Sequence, residues 1–203
     1  VAKMHKIISK KTASLSNNYN FIRALDLLIA VTGLIILSPF LMLIYVIGLF
    51  DTGSPFFRQE RIGQHQKPFV LIKFRTMLKE TISAATHLIN QKSITSFGIF
   101  LRRTKLDELP QLWNVLLGEM SIVGPRPGLF NQIELTEARI KYNVFNYRPG
   151  ITGLAQVNGI DMSTPVLLAK TDAHMLRELN ITNYFKFIFL TIIGKGYGDA
   201  INK

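Results

Sequence analysis

Asp107 and Glu108 are adjacent carboxylates in the stretch Thr104-Lys105-Leu106-Asp107-Glu108-Leu109-Pro110-Gln111-Leu112-Trp113-Asn114. Gly118-Glu119-Met120-Ser121 and Val123-Gly124-Pro125-Arg126-Pro127 follow shortly after. Acidic residues just ahead of a proline suit the first turn of a helix, so the pair could simply cap a helix that begins there. Its cationic company points to chemistry instead. Arg102, Arg103 and Lys105 precede it and Arg126 follows. Capping needs no such crowd, whereas phosphoryl transfer needs cations to offset charge on the transferring oxygens. Adjacent helical positions point about 100° apart, so the two acids suit different jobs better than a shared proton. One could meet a phosphorus while the other binds a divalent cation or orients its neighbour. An all-oxygen site with few protein ligands is what Mg2+ favours. Pro125 and Pro127 restrict the backbone on both sides of Arg126 and lower the entropy cost of holding it. An incidental arginine in a rigid loop is the plainer alternative.

Other elements must carry the walls of such a site. Phe56–Gly63 and Pro68–Met77 are short β-prone runs around a polar Gly63–Lys67 connection, which predicts a hairpin. In the second run Lys73 and Arg75 alternate with Ile72, Phe74 and Thr76, so both cations share one face, either solvated or aimed at a phosphate cleft. Residues 79–97 read as a polar helix and loop, and 128–147 and Thr164–Leu179 as helices. Tyr184–Ile193 reads as a core helix or an interfacial one. Between them, Arg148-Pro149-Gly150-Ile151-Thr152-Gly153-Leu154-Ala155-Gln156-Val157-Asn158-Gly159 suits close backbone approach, but it lacks the spacing of a nucleotide P-loop or a dinucleotide fingerprint.

Leu27–Phe50 contains no charged residue and is long enough to cross a bilayer. Ser38-Pro39 sits at its middle, where Pro39 removes a backbone donor and predicts a kink. Residues 1–26 and 51–76 each hold five Lys/Arg, so the flanks give no charge imbalance to orient a span. Both flanks then prefer the cytoplasm, and the segment is expected to turn at Ser38-Pro39 and leave on the side it entered. Each half would reach about 16–18 Å, short of the ~30 Å core. A Pro-kinked full span is the alternative. Arg23 and Asp26 share a helix face and read as local anchoring.

The net charge is +11, yet 48% of residues are hydrophobic. An anionic lipid surface and an anionic substrate explain both, and a nucleic-acid partner is not expected. The absence of cysteine excludes disulfides and thiolate zinc sites, and His5, His65, His87 and His174 are too scattered for a histidine metal site. No secretory signal is expected, since no cleavage site follows the apolar run. The expected organisation is a basic tail over 1–20, a re-entrant membrane helix over 21–50 and a catalytic domain over 51–203. The fold class is α/β, mostly helical with a small β-hairpin or sheet, in a monotopic membrane protein with a Ser-Pro-kinked re-entrant helix and interfacial amphipathic helices.

Lys73-Phe74-Arg75-Thr76-Met77, Leu106–Asn114, Gly118–Pro127 and Arg148–Gly159, in that order after a Ser-Pro-broken apolar segment, resemble the bacterial sugar transferase family. These are monotopic phosphoglycosyl transferases, and the resemblance covers residues 21–198. It implies a compact member, without the extra N-terminal membrane helices of larger relatives. It also implies transfer of sugar 1-phosphate from a UDP-sugar to polyprenyl (undecaprenyl) phosphate with release of UMP, the first membrane step of bacterial glycoconjugate synthesis. The implied location is the cytoplasmic face of the inner membrane. The implied cofactor is Mg2+, with Asp107 as covalent nucleophile and Glu108 as its metal-binding or orienting partner. Lys73, Arg75, Arg102 and Arg126 match the phosphate region. Arg148 and Gln156 lie in a segment associated with the nucleotide end, and Ser38-Pro39 matches the helix break. Lys105, Glu119 and Ile160 depart from residues common in relatives (Ser, Asp and Arg), so sugar specificity is not carried over. A homodimer is compatible with the sequence. A phosphate monoester acceptor, with a second pKa of about 6, is largely a dianion at neutral pH and needs no general base. A central carboxylate is then better used as a nucleophile or a metal ligand. A non-catalytic glycolipid-binding or assembly protein is the rival of a different class.

Overall fold

The computed structural model describes the backbone of residues 2–79 and 93–194, with side chains from Tyr19 onward in those ranges. Most of the helix and loop expected over 79–97 therefore lies outside the described residues, as do Lys195 and the side chains of Lys3, Lys6, Lys10 and Lys11.

Helix α1 (Ala2–Thr52) takes in the basic stretch, the uncharged segment and Pro39. It ends where Gly53 adopts a φ of +67°, a left-handed terminator that suits glycine. The Ser38-Pro39 pair has a clear local logic. Pro39 has no N–H to donate to the carbonyl four residues back, and the Ser38 hydroxyl donates to that same Ile35 carbonyl at 2.8 Å. The helix packs on the rest of the protein from both sides of Pro39. Before it, Ile22 and Ala30 enter the main core and Gly33 lies against Leu112. After it, Ile44 packs with Phe74 and Leu101, and Gly48 lies against Pro55. Between these contacts Ile35, Ile36, Phe40, Met42 and Leu43 are exposed.

Strands β1 (Phe56–Ile62) and β2 (Pro68–Phe74) form the expected antiparallel hairpin, in the register Phe56 to Phe74 and Ile62 to Pro68. The strand period puts Lys73 on the face that buries Phe69 and Leu71. Helix α2 (Ser96–Thr104) is capped by the Thr95 hydroxyl, which accepts from Gly98 N at 2.9 Å. A Cβ on Gly98 would lie 2.1 Å from the Thr76 carbonyl, so glycine lets α2 touch the end of the hairpin.

Next come α3 (Gln111–Leu116), β3 (Ser121–Val123), α4 (Ile133–Lys141), β4 (Gly150–Thr152), α5 (Leu154–Val157), α6 (Pro165–Glu178) and α7 (Ile181–Ile192). Strands β3 and β4 pair in parallel, which the sequence did not announce. The approach is so close that a Cβ on Gly150 would fall 2.0 Å from Gly124 N. The main core joins Ile22 and Ala30 of α1 to β2, α3, β3, Met175 of α6, and Tyr184 and Phe187 of α7. Helix α7 packs Tyr184 and Phe187 into the core and leaves Ile181, Phe185, Phe189 and Ile192 exposed.

Polar contacts weld α1 to this core. Arg23 Nη2 donates to the Val115 carbonyl at 2.7 Å and Nη1 to the Met120 carbonyl at 3.1 Å. Buried Asp26 accepts from Ile122 N and from the Tyr184 hydroxyl, each at 2.9 Å. Burial, and then the Asp26 carboxylate, push the Tyr184 phenol above its ordinary value, so it remains a donor. The Arg23–Asp26 pair, 3.9 Å apart, thus anchors well beyond its own helix.

Candidate active site

The carboxylate pair does not open an α-helix, as the capping reading expected. Leu106–Glu108 is a 3₁₀ turn, and α3 begins only at Gln111. The reason is Pro110. An α-helical bond to the Leu106 carbonyl needs an N–H at residue 110, which proline lacks. That carbonyl instead accepts from Leu109 N at 3.3 Å, and the Lys105 carbonyl from Glu108 N at 3.2 Å. The turn is entered through Lys105 in left-handed backbone, φ 57° and ψ 17°. Both acids are buried, Asp107 at 3% and Glu108 at 7% exposure. With three residues per turn the two side chains diverge even more than on an α-helix.

Arg126 Nη1 donates to Glu108 Oε1 at 3.1 Å. The loop that carries it is held from several sides. Gly124 N donates to the Thr152 carbonyl and Gly150 N to the Pro125 carbonyl, both at 2.8 Å. Arg61 Nη1 donates to the Pro127 carbonyl at 3.1 Å, and Ile62 N to the Gly128 carbonyl at 3.0 Å. Gln156 Nε2 reaches the Gly124 carbonyl at 3.4 Å, while its buried Oε1 has no hydrogen-bond partner among the described residues. The two prolines restrict the turn, and the β3–β4 pair and β1 fix where it sits.

Strand β2 packs against the carboxylate turn and carries Lys73, which is 7% exposed with Nζ 5.8 Å from the Phe57 ring centroid. Arg75 shares that ring at 5.6 Å, as the common-face expectation requires. Its Nε donates to the Ser54 carbonyl at 2.9 Å and its Nη2 to the Phe56 carbonyl at 3.3 Å, stapling the α1–β1 turn. Arg102 Nε donates to the Thr76 hydroxyl at 2.8 Å, leaving Nη1 buried without a hydrogen-bond partner among the described residues. Arg148 lies with a different group. Its Nε donates to the Gly118 carbonyl at 2.8 Å and its Nη1 to the Tyr19 hydroxyl at 2.5 Å. With Tyr19, Arg23, Asp26, Ser121 and Tyr147 it lines a cavity of about 80 Å³ beneath α1. Ser38 and Pro39 are exposed on α1, apart from these side chains.

Two positioning residues were not anticipated. Asn114, fully buried, accepts from Ile72 N at 3.1 Å and donates to the Val70 carbonyl at 2.7 Å, extending the free edge of β2 with a side-chain amide. Glu119 holds the same amide at 2.6 Å. This clamp fixes α3, and the turn before it, against the strand that carries Lys73. Arg61 is the second, gripping the Pro-Arg-Pro turn. The one signal for Asn114 was a polar residue of low helix propensity amid Leu112, Val115 and Leu116.

Lys105 lies within electrostatic reach of Glu108, Asp107 and Arg126. Burial lowers its pKa, the two carboxylates raise it and Arg126 lowers it again. No cluster of three or more His, Cys, Asp or Glu that could hold a metal occurs among the described residues. Two neighbouring carboxylates still fit Mg2+, which is bound by one or two protein carboxylates and completed by water and substrate phosphate.

The profile of the bacterial sugar transferase family matches residues 17–195. The chain is 44% identical over 181 residues to the UDP-glucose:undecaprenyl-phosphate glucose-1-phosphate transferase of Xanthomonas campestris pv. campestris, covering 83% of this chain and 37% of that protein. It is 38% identical over 187 residues to the Escherichia coli K12 protein of the same description, covering 86% and 40%. The exopolysaccharide production protein ExoY of Sinorhizobium fredii is 34% identical over 188 residues, covering 84% and 83%. The chain thus spans about two fifths of the first two relatives and most of the third. On the profile match and these identities, the chain belongs to the bacterial sugar transferase family.

Proposed function

We propose that this chain transfers sugar 1-phosphate from a UDP-sugar to polyprenyl phosphate, giving polyprenyl-diphosphate sugar and UMP. The observation that carries the reading is the buried Asp107 one residue from Glu108, which Arg126 holds at 3.1 Å. An Asp107 oxygen attacks the phosphorus bearing the sugar, the diphosphate P–O bond breaks, and UMP leaves with the bonding pair. A phosphate oxygen of the lipid then attacks the same phosphorus and returns Asp107 as a carboxylate. One phosphoanhydride is broken and one formed, and the ionised acceptor needs no base. Arg102 Nη1, without a hydrogen-bond partner among the described residues, suits a phosphate oxygen, and Lys73 adds charge from β2. Asp107 and Glu108 would hold Mg2+, which would neutralise part of the diphosphate charge.

In this reading α1 dips into the cytoplasmic leaflet, turns near Ser38-Pro39 and returns, with the exposed apolar residues of α7 on the membrane surface. Packing of both sides of Pro39 on one body supports that path, as does the balanced flanking charge. A cysteine at Lys6 should stay unlabelled by an impermeant reagent on intact cells; labelling would make α1 a full span. The chemistry is tested by UMP release across a UDP-sugar panel with undecaprenyl phosphate. Asp107→Asn should abolish release, and wild-type-like turnover in that variant would overturn the nucleophile assignment.

A further inference from the structure

The cavity beneath α1 is separate from the carboxylate site, since none of Lys73, Arg102, Asp107, Glu108 and Arg126 lines it. Two guanidiniums converge on it, Arg23 from α1 and Arg148 from the segment before β4. Both lean on the chain after α3: Arg23 donates to the Val115 and Met120 carbonyls and Arg148 to the Gly118 carbonyl. Those carbonyls satisfy N–H groups but bring no net charge. Asp26 is the one lining carboxylate among the described residues, 3.9 Å from Arg23 and engaged by Ile122 N and the Tyr184 hydroxyl. Arg148 forms no ion pair among the described residues. A guanidinium carries five N–H donors, and the contacts of Arg148 with Gly118 and Tyr19 use two of them. The wall is thus left with one positive charge in excess, beside the rings of Tyr19 and Tyr147.

We infer that this cavity is a second anion site, one that takes the phosphate of a lipid from the surrounding leaflet, with Arg148 as its main ligand. The inference rests on α1 entering the bilayer, by either path. Tyr19–Asp26 come immediately before the uncharged segment Leu27–Phe50, which sets the cavity at headgroup level, where tyrosines concentrate. Apolar side chains are exposed on the elements around it, Phe21 and Leu28 on α1 and Ile181 and Phe185 on α7. A cationic pocket with a hydrocarbon rim complements a headgroup and its chains, and the rim offers nothing to a soluble nucleotide. About 15 Å³ suffices for one water, so a cavity of about 80 Å³ admits a tetrahedral phosphate. A lipid held between Arg23 and Arg148 would tie α1 to the chain before β4 and favour the docked helix by mass action.

The test titrates the detergent-purified protein with dioctanoyl phosphatidylglycerol, for a bulk phospholipid, and with farnesyl phosphate, for the acceptor lipid, and counts bound lipids by native mass spectrometry. At least one of the two should bind, and the tighter one identifies the source. Dioctanoylglycerol, which has no phosphate, should bind about tenfold or more weakly, the scale of a lost charge-assisted hydrogen bond. Arg148→Gln should weaken the phosphate-bearing lipid by about tenfold or more, and Arg148→Lys by about threefold. Arg177→Gln removes an exposed charge from the same side of α6 and should stay within about twofold of wild type. Thermal melts verify that each variant is folded. On the wild-type protein, which needs no variant to fold, UDP and inorganic phosphate in about tenfold excess should leave the lipid bound. Displacement by UDP would make the cavity a nucleotide pocket, and displacement by inorganic phosphate a plain anion site; either overturns the inference. So would dioctanoylglycerol binding as tightly as the phosphate-bearing lipids, unchanged affinity in Arg148→Gln, or an equal loss in Arg177→Gln. Recovery of the protein outside the membrane fraction would refute the placement of α1, whereas these affinities are read in detergent, so the two failures are separable.

Discussion

Arg139 and Asp172 meet at 2.7 Å between α4 and α6, with side chains 3% and 0% exposed. Arg126 and Glu108 meet at 3.1 Å, with 27% of the arginine side chain still open. The first arginine directs both Nε and Nη2 at a single Asp172 oxygen. The second meets Glu108 from a turn fixed by its own backbone, on a loop held by β1, β3 and β4. Burial raises the Asp172 carboxyl above its ordinary value and Arg139 pulls it down, as expected of a buried pair that joins two helices. The two pairs have the same chemistry and differ in access. A closed pair makes packing specific, whereas an open one on a rigid turn can exchange its partner for a substrate oxygen.

That contrast can be broken experimentally. The largest effect is expected from Asp107→Asn, which should cut UMP release by about a thousandfold or more, roughly 4 kcal/mol of barrier, with unchanged thermal stability. Asp172→Ala strands a buried guanidinium and should cost about 3–5 kcal/mol of stability, seen as a lower unfolding midpoint in detergent. Arg126→Ala should act mainly on the chemistry, lowering kcat/KM by about a hundredfold, with a smaller loss of stability than Asp172→Ala because the pair is partly open. If Arg126→Ala melts the protein as Asp172→Ala does, the distinction between the pairs is lost. Asn114→Ala sits between the classes. It should cost about 1–3 kcal/mol, because the Ile72 N–H and Val70 carbonyl at the edge of β2 lose their buried partner. Its kcat should fall along with stability, since α3 and Lys73 lose their common clamp.

Local chemistry made the hairpin, α6, α7 and the carboxylate pair legible, because strand alternation and helix periodicity act over a few residues. The helix start at Asp107 was misplaced for an equally local reason: Pro110 forbids the bond that would have made the first turn α-helical. The β3–β4 pair was hidden because its strands are three residues each and lie far apart along the chain, with Gly124 and Gly150 marking closeness but not the partner. Arg61 and Asn114 escaped for a related reason. Each looks ordinary in its own element and acquires its role only from a carbonyl or amide on another. Ser38-Pro39 announced a broken hydrogen bond, and the repair by the serine hydroxyl needed the geometry.

The Asp26 contacts bear on how the protein is made. Ile122 N and the Tyr184 hydroxyl have no apolar substitute for that carboxylate, and Ile22 and Ala30 lie in the same core. The body formed by residues 53–194 is therefore incomplete until α1 docks against it. Cutting the chain after Thr52 would yield an exposed apolar face and two stranded donors, which is to say an aggregation-prone fragment instead of a soluble enzyme.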